Sequence, residues 1–120
     1  MVRRRVKISK LKFGVPCSKL KEITKDVDIP CTSEAEAMAL AAGAYFAGKK
    51  PVVYMQNSGL GHIVDIVTSL YKPYEIPLPK MILSVRCKPY HHKFMYNITK
   101  KILDLLDYKN VEMIIQDEKN

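Results

Sequence analysis

At 120 residues the chain is the size of about one ordinary domain. Its 48% hydrophobic and 27% charged residues exclude a disordered chain, and no apolar run approaches the roughly 18 residues of a membrane-spanning helix. The formal charge of +8 asks for an acidic counterpart, either nucleic acid, an acidic subunit or an anionic substrate. The basic residues are nevertheless spread along the chain, with only Arg3–Arg5 dense. No interleaved aromatic motif of an RNA binder accompanies them, so charge alone does not select nucleic acid.

The first ten residues, MVRRRVKISK, form a basic amino-terminal segment with no apolar stretch behind it. They do not qualify as a secretory signal, and the expected location is the cytoplasm. Cys17, Cys31 and Cys87 are an odd count without a CxxC pair, which argues for reduced thiols rather than a disulfide framework or a zinc knuckle.

Short apolar runs alternate with longer helical patterns, the signature of βα units. Strands are expected at Leu11–Val15, Pro51–Gln56, Pro79–Val85 and Val111–Ile115, and helices at about Ser18–Thr24, Ser33–Ala47, His62–Tyr71 and Lys93–Asp107. The second helix has a clear start, since Ser33 followed three residues later by Glu36 is a capping box, and Gly48 is placed to stop it. Its interior is almost all small residues, which permits a close approach to another helix or a cofactor. In the last helix Phe94, Ile98, Ile102 and Leu105 recur at helical spacing, which predicts an ordinary packing face. The expected architecture is one α/β domain over 1–120, a three-layer, mostly parallel sheet flanked by helices, with no internal repeat or dividing linker.

In an open α/β sheet, ligands bind at the carboxyl ends of the strands. The stretch QNSGLG, 56–61, falls at one such end with a helix just after it. Gln56, Asn57 and Ser58 offer neutral donors and acceptors, while Gly59 and Gly61 permit close backbone approach. The same composition is also that of a common loop. Glu34 stands in the first turn of the small-residue helix, where the helix dipole favours a carboxylate. Glu34 and Glu36 both fit a capping role, and spacing does not separate them. His91 and His92 are adjacent and lack an ordered Cys, Asp or Glu partner, so no metal site is expected. Arg86, at the end of the third expected strand, is a candidate anion contact or an exposed strand-end charge.

The order of these pieces carries further information. GVPCSKL at 14–20, SEAEAMALAAGAYFAGKKPVVYMQNSGLG at 33–61, TSL at 68–70 and IPLPKMILSVR at 76–86 together resemble the pyrimidine-binding domain of thiamine-diphosphate-dependent decarboxylases. The group most closely resembled is that of sulfopyruvate decarboxylase alpha subunits and phosphonopyruvate decarboxylases. The resemblance implies the corresponding fold, shortened at its amino end, and places the family's invariant glutamate at Glu34, counting back from Ala41-Ala42-Gly43. Such a carboxylate would hydrogen-bond N1′ of the aminopyrimidine and favour the tautomer whose nitrogen deprotonates the thiazolium. By the same resemblance Gln56, Asn57, Ser58, Gly59 and Leu60 are expected against cofactor, Asn57, Ser58 and Arg86 against substrate, and His92 as a group that relays a proton or contacts the substrate.

The resemblance also implies what the chain lacks. Family members hold the diphosphate and Mg²⁺ through a second domain bearing GDG, and no GDG occurs in this sequence. The chain is then expected to be an alpha subunit that decarboxylates 3-sulfopyruvate together with a GDG-bearing beta subunit, alongside further copies of itself. A phosphonopyruvate decarboxylase is the enzymatic alternative. Three departures from the family pattern point to a non-catalytic homologue that acts as a binding partner. These are the short amino end, His62 where an asparagine is expected after GLG, and RCKPYHH at 86–92 in place of an Arg-Gly and acidic loop.

Overall fold

The computed structural model describes residues 8–16 and 27–116. The expected helix at 18–24, Cys17 and most of the basic segment 1–10 lie outside the described residues.

Five strands form one wholly parallel sheet. They are β1 (Lys10–Gly14), β2 (Ile29–Pro30), β3 (Lys50–Gln56), β4 (Lys80–Val85) and β5 (Val111–Ile115), in the spatial order β2-β1-β3-β4-β5. The register aligns Phe13 with Val53 and Val53 with Met81. Because side chains alternate along a strand, Phe13, Val53, Met55, Met81, Leu83 and Val85 all fall on one face, and all are buried in a single cluster.

Three helices complete that cluster. Helix α1 (Glu34–Phe46) joins β2 to β3. Helix α2 begins at Val64–Ile66, continues as a π-helical turn over Val67–Tyr71, and leads to β4. Helix α3 (Lys93–Leu105) joins β4 to β5. Ala37, Met38 and Ala41 of α1, Val67 and Tyr71 of α2, and Leu103 of α3 meet the same strand residues, so the three described helices share one face of the sheet. Alanines let α1 lie close upon β1 and β3. Two buried phenols pin the layers, Tyr71 donating to the carbonyl of Met38 at 2.6 Å and Tyr108 to that of Pro79 at 2.6 Å. Gly48 stops α1 in the left-handed region at φ 81°, a conformation glycine adopts without steric cost.

Three expectations change. The helix expected from His62 starts only at Val64, because the glycine-containing segment Asn57–His62 winds more tightly as a 3₁₀ turn. The short strand β2 is an addition. The packing stripe expected on α3 is also displaced, since Phe94, Ile98 and Leu105 are 63%, 42% and 86% exposed. The helix instead turns Thr99 and Leu103 inward. Its rotation is set by Thr99, which is bonded to a buried asparagine, and by Leu103, Leu106 and Tyr108, which reach the core.

Candidate active site

The strand order reverses direction at β1. The chain passes from β1 outward to β2, then returns across to β3 on the other side. A crevice opens at such a point beyond the carboxyl ends of the strands, and ligands of open α/β sheets bind there. Two segments converge on it, the start of α1 and the 3₁₀ turn that follows β3.

The first turn of α1 separates its two carboxylates. Ser33 caps the helix, its Oγ accepting from the Glu36 amide at 3.1 Å. Glu36 turns back outward, where its carboxylate accepts from the Thr32 amide at 3.3 Å and from Thr32 Oγ1 at 3.0 Å. One orphan donor of the helix start, the Glu36 amide, is thereby satisfied, and the Glu36 side chain reaches back to Thr32, one residue before the N-cap position it bonds in an ordinary capping box. Glu36 also stands beside buried Cys31, whose thiol is pushed up first by burial and then by the Glu36 charge.

Glu34 has no part in that cap. Its side chain is only 15% exposed and leans over the turn after β3, where Oε2 lies 2.9 Å from Nδ1 of His62. The other oxygen faces Gly59. A Cβ built on Gly59 would sit 2.4 Å from Glu34 Oε1, 2.5 Å from Cγ and 2.6 Å from Cδ. The carboxylate thus occupies the space a side chain at 59 would fill, and it keeps this position only while residue 59 is glycine.

The remaining loop residues divide into two sets. Asn57 is 1% exposed and its amide is committed to the fold. Its Oδ1 accepts from the Arg86 amide at 3.1 Å, and its Nδ2 donates to the Arg86 carbonyl at 3.2 Å and to Thr99 Oγ1 at 3.2 Å. Leu60 is fully buried in the core. These two hold the turn in place from below, with side chains directed away from the crevice. Ser58 is exposed and donates to Gln56 Oε1 at 3.3 Å, and Gln56 is half-buried. A ligand over this turn meets Gln56, Ser58 and the bare backbone of Gly59.

Arg86 joins the site through its backbone bonds to Asn57, with a half-buried side chain at the end of β4. His92 closes the 3₁₀ turn Tyr90–His92 that opens α3, half-buried, with its ring centroid 4.1 Å from that of His91. Two residues escaped the sequence reasoning as contributors. Thr99 ties α3 to the loop, and its only signal is a polar side chain on the inner arc of an amphipathic helix. His62 is the partner of Glu34, and its signal is a titratable side chain directly after the glycine-containing turn.

A groove lined by Tyr71, Lys72, Glu75, Ile76 and Asn110 lies at the amino ends of β4 and β5, the opposite end of the sheet from Glu34. Among the described residues, no three His, Cys, Asp or Glu side chains gather to hold a metal ion, and no helix is long and apolar enough to cross a membrane.

No family model matches the chain. Among curated proteins it is 45% identical over 71 residues to the sulfopyruvate decarboxylase subunit alpha of Methanocaldococcus jannaschii, covering 53% of this chain and 42% of that protein. It is 44% identical over 80 residues to the sulfopyruvate decarboxylase subunit alpha of Methanothermobacter thermautotrophicus, covering 61% and 48%. Over 106 residues it is 37% identical to the phosphonopyruvate decarboxylase of Streptomyces viridochromogenes, covering 78% of this chain and 26% of that enzyme. The chain thus spans less than half the length of these relatives. Along the matched stretches the chain is therefore similar to sulfopyruvate decarboxylase alpha subunits and phosphonopyruvate decarboxylases, and relatives of those names support that family for it.

Proposed function

We propose that the chain is the pyrimidine-binding subunit of a heteromeric, cytoplasmic decarboxylase that uses thiamine diphosphate. Its substrate would be an anionic 2-oxo acid, with 3-sulfopyruvate favoured, converted to sulfoacetaldehyde and CO₂. The observation that carries the reading is the Glu34 carboxylate, largely enclosed and lying directly over the bare backbone of Gly59. The cofactor would supply a nucleophilic carbon and an electron sink for the loss of CO₂.

The residues present fit the pyrimidine half of that group. Glu34 would hold a proton at the ring nitrogen N1′, Gly59 would let the ring approach the backbone, and Gln56 and Ser58 would offer neutral hydrogen-bonding groups beside it. Asn57 and Leu60 would keep the turn rigid, so that the carboxylate need not reorganise when the ring arrives. Arg86 is proposed as the contact for the substrate's anionic group, where a planar guanidinium pairs two oxygens at once. His92 is proposed as the group that moves a proton to or from the product. The diphosphate and Mg²⁺ would be held by a GDG-bearing beta subunit. The name "subunit alpha" borne by the relatives supports such a partner, with further copies of this chain in the same assembly.

Phosphonopyruvate is the alternative substrate, favoured by the relatives that align over 78% of the chain. Its phosphonate also presents a tetrahedral anion, so the two substrates must be told apart by assay. The test is affinity purification of the tagged chain with Mg²⁺ and thiamine diphosphate, followed by mass spectrometry and assay of both substrates. A GDG-bearing chain should co-purify with bound cofactor and release CO₂. Recovery of this chain without cofactor, even when a GDG-bearing partner is supplied, would instead identify a non-catalytic homologue.

A further inference from the structure

We propose that His62 is a positioning residue for Glu34: its Nδ1–H fixes Oε2, so that the carboxylate is held against Gly59 in the orientation that meets the pyrimidine. The inference rests on the reading of Glu34 given above and adds a residue which that reading leaves without a role.

A glutamate side chain turns about three bonds, and an unrestrained carboxylate must give up that freedom when a ligand arrives. Here it is restrained from two sides. The imidazole nitrogen lies 2.9 Å from Oε2, and the Cα of Gly59 backs Oε1, as the 2.4 Å approach of a built Cβ shows. A neutral imidazole protonated at Nδ1 donates this bond and keeps Nε2 as an acceptor toward solvent. The ring itself is 69% exposed, so His62 contributes little to the core and its contact with Glu34 is the feature that gives the position a role.

The chemistry needed at position 62 is narrow. The donor must hang from Cγ, because Nδ1 of histidine does. Asparagine carries Nδ2 on the same carbon and can present an N–H at the same remove from the backbone. Alanine presents none. The histidine found after GLG supplies such a donor.

Two measurements test this. In the complex of the chain with its GDG-bearing partner, loaded with thiamine diphosphate and Mg²⁺, the rate of hydrogen–deuterium exchange at the thiazolium C2 reports how well Glu34 is set. His62→Ala should slow exchange about tenfold or more, the scale at which partners that orient ligating side chains act in metal sites. His62→Asn should stay within about threefold of wild type. On the full chain without cofactor, ¹⁵N NMR should find His62 protonated at Nδ1, and Glu34→Ala should remove that preference.

Wild-type exchange in His62→Ala would overturn the role. So would equal loss in His62→Asn and His62→Ala, or a His62 unprotonated at Nδ1. A wild-type complex that binds no cofactor and shows no exchange would overturn the decarboxylase reading, and the positioning role with it. That outcome is recognised because wild type fails alongside the variants.

Discussion

Gly59→Ala separates function from stability. A methyl group at this position would meet Glu34 Oε1 at 2.4 Å, where ordinary van der Waals contact begins near 3.4 Å. The carboxylate must therefore retreat by about 1 Å, a displacement that at a reacting centre costs on the order of 10²-fold in rate. The fold can absorb the change, because the atoms in the way belong to the end of one side chain and Gly59 does not have a positive φ. Alanine in a helical turn is favoured over glycine by roughly 0.5–1 kcal/mol. Forcing Glu34 off its rotamer costs about 0.5–1.5 kcal/mol. The two nearly cancel, and the melting temperature should move by no more than about 5 °C. CO₂ release by the purified complex and a thermal melt of the same preparation measure the two quantities together. Wild-type turnover would refute the claim that Glu34 must lie against Gly59, and a melt lowered by tens of degrees would refute the claim that the clash is local.

Asn57→Ala should act in the opposite sense. It removes the side chain that bonds the part-buried amide and carbonyl of Arg86 and Thr99 Oγ1 and should destabilise the chain by about 2–4 kcal/mol, visible as an early urea midpoint. Thr99→Val should cost about 1 kcal/mol by removing the hydroxyl that accepts from Asn57 Nδ2. In an alkaline absorbance titration, Tyr71 and Tyr108 should stay un-ionised well past the ordinary phenol range, because burial raises both. Their folded-state pKa values lie above the unfolded ones, so the stability they contribute is intact below about pH 10 and is lost as pH rises beyond it. Tyrosinate absorbance at these two positions should therefore appear together with unfolding, and early, separate ionisation would contradict their burial. Alkylation with iodoacetamide at pH 8, followed by peptide mapping, should label half-buried Cys87 well before buried Cys31, whose thiol is raised by burial and by Glu36.

Much of the sheet was legible. The apolar runs at 51–56, 80–85 and 111–115 are bounded by prolines, glycine or polar turns, and a buried parallel strand needs little more than that to be seen. Ile29–Pro30 was not legible, because two residues carry no period, and proline is tolerated where a strand lies at the edge of the sheet. The rotation of α3 was hidden for a different reason. Its apolar arc is wider than the surface it covers, and the choice between Phe94–Ile98–Leu105 and Thr99–Leu103 is made by Asn57, distant in sequence.

At the site, two glutamates two residues apart read alike, since both suit a helix start. Tertiary structure separates them, giving Glu36 to Thr32 and Glu34 to the glycine turn. Likewise QNSGLG marks the place but not the division of labour within it. Asn57 and Leu60 face inward while Ser58 faces out, a distinction that depends on where β4 and α3 stand relative to the loop.

The central claim is that Glu34 acts on the pyrimidine of thiamine diphosphate, and CO₂ release by the cofactor-loaded complex tests it most directly. Wild type and Glu34→Gln should be compared on 3-sulfopyruvate and on phosphonopyruvate, with bound cofactor quantified in both. Wild type should turn over one of these anions, and Glu34→Gln should lose at least about 10³-fold at comparable cofactor occupancy. Undiminished turnover in Glu34→Gln would contradict it.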